Sequence, residues 1–336
     1  MIDYRLLNFA GPKGKVIPGI KVGDDVIDLT IAAPIYQRRA KKKLGFEVGS
    51  TLDILKVWPK AKTALAKLAA DHAKTAPGKA SPYAKAVKPL KRVKLLAPIL
   101  YPSTVFCIAA NYADHHAEMG SNTMPDKSIM PPVFFQKTPA QTVVGHGAEI
   151  PLPHTSTQID WEAELAIVIG KPCFNVSKEK ALDYIAGYMV LNDMSIRGPS
   201  RADAITPVQK QFRGDRFRRK NFDGSCPTGP WMTPKELVKN PYDLKIQLWV
   251  NGELKQNGNS GAMHYNIEEQ ISYLSDHLTL QPGDVITTGT PPGVGMGMKK
   301  NGKPAPSYLK AGDTIALGIE GLGEQHQRVV GFKKAG

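Results

Sequence analysis

Short apolar runs of strand length, most of them followed by glycine or asparagine, recur from residue 105 onward. They fall at 105–109, 165–169, 185–191, 244–250, 285–288 and 328–332. Asn251-Gly252, set between 246–250 and 253–255, is a type I′ hairpin signal. Helical spacing is scarce in this part of the chain. Runs of this kind bury their apolar side chains only as paired and layered sheets, so a mainly β unit is expected over residues 91–336.

The first ninety residues read differently. Residues 15–29 break into short β-branched pieces, as in a meander or hairpin. From Ser50 onward, Leu52, Leu55, Leu65, Leu68 and Ala69 fall near helical spacing, and Pro59 must break that run into two pieces. The stretch 75–88 carries Pro77-Gly78 and Ser81-Pro82, which punctuate structure, so a boundary is placed after it. The expected organisation is a small basic α+β domain at 1–90 and the larger unit at 91–336, α+β and mainly β overall.

Charge follows the same division. Residues 1–100 hold 20 Lys and Arg against 7 Asp and Glu, and the remainder holds 24 against 23. A solvated basic surface is the simpler account, with a polyanion- or partner-binding domain as its rival. No interleaved aromatics, zinc finger or RNP-like stretch supports nucleic acid. No apolar run approaches the roughly 20 residues of a membrane span. Residues 1–6 have no long apolar core behind a basic start, and a cytoplasmic location is expected. Cys107, Cys173 and Cys226 are too far apart for a CxxC pair and are expected to be reduced, mostly buried thiols.

Chemistry concentrates in a few places. In Ile159-Asp160-Trp161-Glu162-Ala163-Glu164-Leu165, two carboxylates two apart open an apolar strand and share a face. Like charges at the edge of a core need a cation between them, and carboxylate oxygens suit Mg²⁺, Mn²⁺ or Ca²⁺. Asp193 ends the run 185–191 and offers a third oxygen. In Asn111-Tyr112-Ala113-Asp114-His115-His116-Ala117-Glu118, His115 and Glu118 share a face of a helical turn, where the carboxylate can orient the imidazole as a general base. The stretch 283–295 runs a strand into a turn rich in glycine and proline, exposing backbone N–H groups and the Thr290 hydroxyl to an anion. It matches neither the Walker nor the Rossmann pattern.

The order NYxxHxxE, ExE, ND-x-S-x-R, K-x-FD-x-x-CP-x-GP and TTGTPPGVG resembles the fumarylacetoacetate hydrolase family from about Phe106 to the C-terminus. The resemblance implies a β-roll catalytic domain, a homodimer and a divalent cation, Mg²⁺ or else Mn²⁺ or Ca²⁺, on Glu162, Glu164 and Asp193. It implies His115 and Glu118 as a catalytic dyad on a short helix or lid, with Lys220 beside them. Arg197, Thr290, Tyr112 and Lys137 match positions at or near the substrate. One departure stands out. Gly198-Pro199-Ser200 replaces the Asp-x-Gln that often follows the arginine, and Gln209 or Gln211 is expected to take the missing glutamine's part, unless the substrate differs there.

The implied reaction is metal-dependent carbon-carbon cleavage of a 2,4-dioxo acid of acylpyruvate or fumarylpyruvate type, with His115 activating water. The same groups also suit decarboxylation of oxaloacetate or isomerisation of a 2-hydroxydienoic acid. An aldolase using Lys137 or Lys220 as a Schiff base is a further alternative.

Overall fold

The computed structural model describes residues 2–75, 80–120, 123–198 and 215–332. Gln209 and Gln211 lie outside them. The fold is α+β and mainly β, built on two sheets.

The larger sheet runs from edge to edge through Val87–Pro89, Asp25–Asp28, Val16–Val22, Arg5–Ala10, Cys226–Pro234, Ile185–Asn192, Ala163–Ile169, Val285–Thr287, Val105–Ile108 and Phe134–Lys137. The smaller sheet follows the order Glu253–Asn259, Lys245–Val250, Thr314–Ile319, Gly323–Val330 and Glu149–Pro151. Asn251 and Gly252, at φ 52° and 78°, make the hairpin turn between the first two of these strands.

Alternation along Ala163–Ile169 explains why its whole sequence is apolar. Leu165, Ile167 and Ile169 face the smaller sheet and pack with Ile246, Leu248 and Leu317. Ala166 and Val168 face the other way and pack with Trp58, Leu65 and Leu68. A strand covered on both faces has no polar side to present. The cover on the second face is the helix Trp58–Ala73, which buries Trp58, Ala61, Leu65, Leu68 and Ala69. The helical run breaks where Pro59 requires, between Thr51–Lys56 and Trp58–Ala73.

The backbone ladder crosses the division placed at residue 90. Leu6 pairs with Met232, and Asn8 donates to the carbonyls of Ala97 and Pro98, both at 3.1 Å. A helix at Leu29–Ala40 goes unannounced by the sequence pattern, because Pro34 sits inside it; the Asp28 carboxylate starts it by accepting from Thr30 N at 2.9 Å. All three cysteines are free and buried, as expected. Among the described residues no helix is long and apolar enough to cross a membrane.

The indole of Trp58 fills the hollow over Gly170, where a Cβ would come within 2.9 Å of its Cδ1. Trp58→Ala should therefore cost about 3–5 kcal/mol in urea unfolding followed by far-UV circular dichroism. A loss below about 1 kcal/mol would mean that the helix does not seal this face of the sheet.

Candidate active site

Three carboxylates arrive from two neighbouring strands. The register Ala163↔Asn192 sets the start of Ala163–Ile169 beside the end of Ile185–Asn192, which brings Glu162, Glu164 and Asp193 together. Two hydrogen bonds fix that corner: Glu162 N donates to Asn192 Oδ1 at 2.9 Å, and Asp193 N donates to Glu162 O at 2.8 Å. One oxygen from each carboxylate lies within 4.8 Å of the others, and all three residues are buried.

Cations from three further segments surround this group. Lys220, at the end of the helix Arg216–Lys220, donates to Glu162 Oε2 and Asp193 Oδ2, both at 2.7 Å. Arg197 donates through Nε to Asp160 Oδ2 at 2.8 Å and through Nη2 to Glu162 Oε1. Lys137 Nζ lies 2.8 Å from Asp193 Oδ1. Its hydrogen bonds, however, go to the carbonyls of Met194 and Lys220 and to Ser225 Oγ, so Asp193 Oδ1 has charge nearby and no aligned donor.

Electrostatics divides the carboxylates. Burial pushes the Glu162 carboxyl up, but Lys220 and Arg197 outweigh it and hold the group far below the usual range. Glu164 goes the other way, raised by burial and then by the charges of Asp193 and Glu162. Burial would lower the Lys220 ammonium, yet Asp193 and Glu162 hold it above the ordinary lysine value. An amine so held stays protonated, which removes support from its use as a Schiff-base nucleophile.

The balance favours one more cation. Asp160, Glu162, Glu164 and Asp193 face Arg197, Lys220 and Lys137, and among the described residues Glu164 forms no ion pair. Its Oε2 accepts from a backbone donor, Gly289 N, at 2.8 Å. An all-oxygen set with one undersatisfied carboxylate and one unaligned Asp193 oxygen fits a hard divalent cation such as Mg²⁺ or Mn²⁺.

The HxxE pair sits on the helix Ala113–Glu118, with His115 Nδ1 3.3 Å from Glu118 Oε2. Glu118 also accepts from Gly293 N at 2.9 Å through Oε1. Gly293 has φ 104°, and a Cβ there would meet the Lys255 carbonyl oxygen at 2.0 Å, so only glycine fits.

A cavity of about 460 Å³ brings together His115, Glu162, Glu164, Arg197, Lys220 and Thr290. Tyr112 and Lys137, expected at or near the substrate, are enclosed and do not line this cavity, although Lys137 lies beside Asp193. Thr290 lines it, but its hydroxyl donates to Ala163 O at 3.0 Å and accepts from Gln256 Nε2 at 2.8 Å. Asn111 braces the site from behind, donating to the carbonyls of Tyr265 and Thr288, both at 2.9 Å.

Asp160 was missed in the sequence pattern. It is fully buried and accepts from Arg197 Nε, from Trp161 N at 2.8 Å, from Gly295 N at 2.6 Å and from Met296 N at 3.1 Å. Its signal was its place two residues before Glu162, which continues the alternation of acids. The glycine-rich turn therefore spends its N–H groups on the protein's own carboxylates: Gly289 on Glu164, Gly293 on Glu118, and Gly295 and Met296 on Asp160.

Residues 104–330 match the family described as fumarylacetoacetate (FAA) hydrolase C-terminal. A relative from Burkholderia multivorans is 46% identical over 220 residues, which cover 66% of this chain and 71% of its own. The structure of maleylpyruvate hydrolase from Sphingobium sp. SYK-6, in complex with a manganese(II) ion and pyruvate, is similar with a TM-score of 0.69 and 27% identity, over 98% of this chain and 100% of that one. The structure of 2-hydroxyhepta-2,4-diene-1,7-dioate isomerase from Mycobacterium marinum gives 0.63 and 29%, over 98% and 99%. Those neighbours include a hydrolase and an isomerase on one fold, and the matched stretch carries every carboxylate of the trio: this chain belongs to the fumarylacetoacetate hydrolase family of enzymes.

Proposed function

We propose that this protein is a divalent-cation-dependent hydrolase that cleaves a carbon-carbon bond in a 2,4-dioxo acid. The observation that carries the reading is that His115, hydrogen-bonded to Glu118, lines one cavity with Glu162 and Glu164 of the buried Glu162–Glu164–Asp193 trio. The manganese(II) ion and pyruvate in the Sphingobium hydrolase support it, since pyruvate is the product expected from such a cleavage. A cation held by the trio would supply Lewis-acid polarisation of the 2-oxo acid's carboxylate and adjacent oxygen.

The chain's own residues account for the rest. With the Nδ1 proton given to Glu118, His115 Nε2 keeps a lone pair for a proton from water. The water oxygen adds to the distal carbonyl carbon, and the bond from that carbon to the methylene breaks. The electron pair stays on the methylene carbon, which takes a proton back from His115 to leave pyruvate and a second carboxylic acid. Lys220 has one proton beyond those given to Glu162 and Asp193, available to an oxygen on which negative charge develops. Arg197 has donors beyond those used on Asp160 and Glu162 for the substrate's carboxylate.

Proton NMR of acetylpyruvate, fumarylpyruvate and oxaloacetate with Mg²⁺, then with excess chelator, tests the reaction. Pyruvate should appear with acetate or fumarate, and chelator should stop it. Pyruvate from oxaloacetate alone would make the protein a decarboxylase and sink the hydrolase reading.

His115→Ala should lower kcat by about 10²–10⁴ while the folded circular dichroism spectrum is kept. Unchanged turnover would remove His115 from the chemistry.

Loss of a ligand should exceed the roughly 10- to 100-fold that loss of an outer hydrogen-bonding partner costs a metal site. Glu164→Gln is accordingly expected to weaken Mn²⁺ binding by at least about that factor in titration calorimetry. Undiminished affinity would place the cation elsewhere.

A further inference from the structure

The helix Arg216–Lys220 delivers more than Lys220. Arg216, Arg219 and Lys220, spaced i, i+3 and i+4, share one face and all line the cavity. Phe217 and Arg218 do not line it, and Arg216 to Arg219 are all exposed. Lys220 is bound to the trio, whereas neither Arg216 nor Arg219 forms an ion pair among the described residues.

Much of the remaining wall is apolar, formed by Ile108, Met119, Phe135 and Met296. Both guanidiniums stay exposed at the mouth of this cavity, and a planar anion entering it is a partner that their donor geometry fits. Their position sets a length. Arg219 is adjacent to Lys220 in sequence, and Arg216 lies about 6 Å further along the helix axis, so an anion held by both sits a few carbons from the trio.

We propose that Arg216 and Arg219 form a second anion subsite that reads a terminal carboxylate on the substrate, so that the enzyme selects dicarboxylic 2-oxo acids over monocarboxylic ones. This rests on the reading that the trio and its cation hold the 2-oxo acid end. It goes beyond that reading in assigning the substrate's other end to two residues that form no ion pair among the described residues. The short helix then couples both ends, because its last residue touches the trio and its first touches the tail.

Binding tests this without requiring turnover. Titration calorimetry with Mg²⁺ compares 2-oxoadipate with 2-oxohexanoate, acids of equal chain length that differ in the terminal carboxylate. The wild type should bind 2-oxoadipate about 10- to 100-fold more tightly, the range expected of charge-assisted hydrogen bonds. R216Q/R219Q, with an unchanged urea midpoint, should bring the ratio close to one. Equal binding of the two acids by the wild type, no measurable binding of either, or a ratio that survives in the double variant overturns the subsite. Tight, discriminating binding together with failure to cleave any 2,4-dioxo acid would leave the subsite standing and overturn the hydrolase reaction instead.

Discussion

Carboxylates buried side by side without compensation would destabilise any fold by far more than its net stability, and the centre of this molecule is arranged around that constraint. Glu162, Glu164 and Asp193 come from the ends of two central strands, while Lys137, Arg197 and Lys220 come from three other segments. The charge pairs therefore also act as ties. Lys137 joins the edge strand Phe134–Lys137 to Asp193, and Lys220 joins its short helix to both strand ends. Removing one cation would break a tie and leave a buried charge unpaired, which costs more than making the pair gained.

The basic first part of the chain serves this centre from a distance. Its helix Trp58–Ala73 lays an apolar stripe on the back of the sheet, and lysines such as Lys60 and Lys67 stay exposed. Further basic residues, Lys41, Lys42 and Lys43, are exposed after the helix Leu29–Ala40. The charge excess thus sits on the solvent side of a layer whose inner side is apolar. Without that layer, Ala166, Val168 and Ala186 would face water, and the strand that carries Glu164 would lose one of its two packed faces.

What the sequence made legible was local. Glu162 and Glu164 read correctly as neighbours because strand periodicity is a property of adjacent residues, and Asp193 because an acid after an apolar run marks a strand end. His115 and Glu118 followed from helical spacing in the same way. The missing parts were long-range. Asp160 is tied to Gly295 and Met296, 135 and 136 residues away, and no periodicity reports that distance. The pairing of Leu6 with Met232 likewise depends on how the sheet closes, so a boundary read from composition could not reveal the shared ladder. That Arg216 and Arg219 line the cavity beside Lys220 likewise depends on a short helix that no sequence pattern announces.

The glycine-rich turn shows how the site and the fold constrain each other. A run of glycines and prolines after a strand suggests open N–H groups waiting for an anion, and the anions it meets are Glu164, Glu118 and Asp160. Two of these carboxylates have a second partner at the site, His115 for Glu118 and Arg197 for Asp160, and Glu164 belongs to the trio that would hold a cation. The turn is consequently the common scaffold of three separate elements, each anchored to it by a backbone N–H donor. Glycine at 293 is demanded both by its φ and by the Lys255 carbonyl, which leaves the Gly293 N–H in place for Glu118. Orientation of the His115 imidazole therefore depends on a backbone donor supplied to Glu118 by a turn 175 residues beyond it, which in turn depends on a glycine that no larger residue can replace.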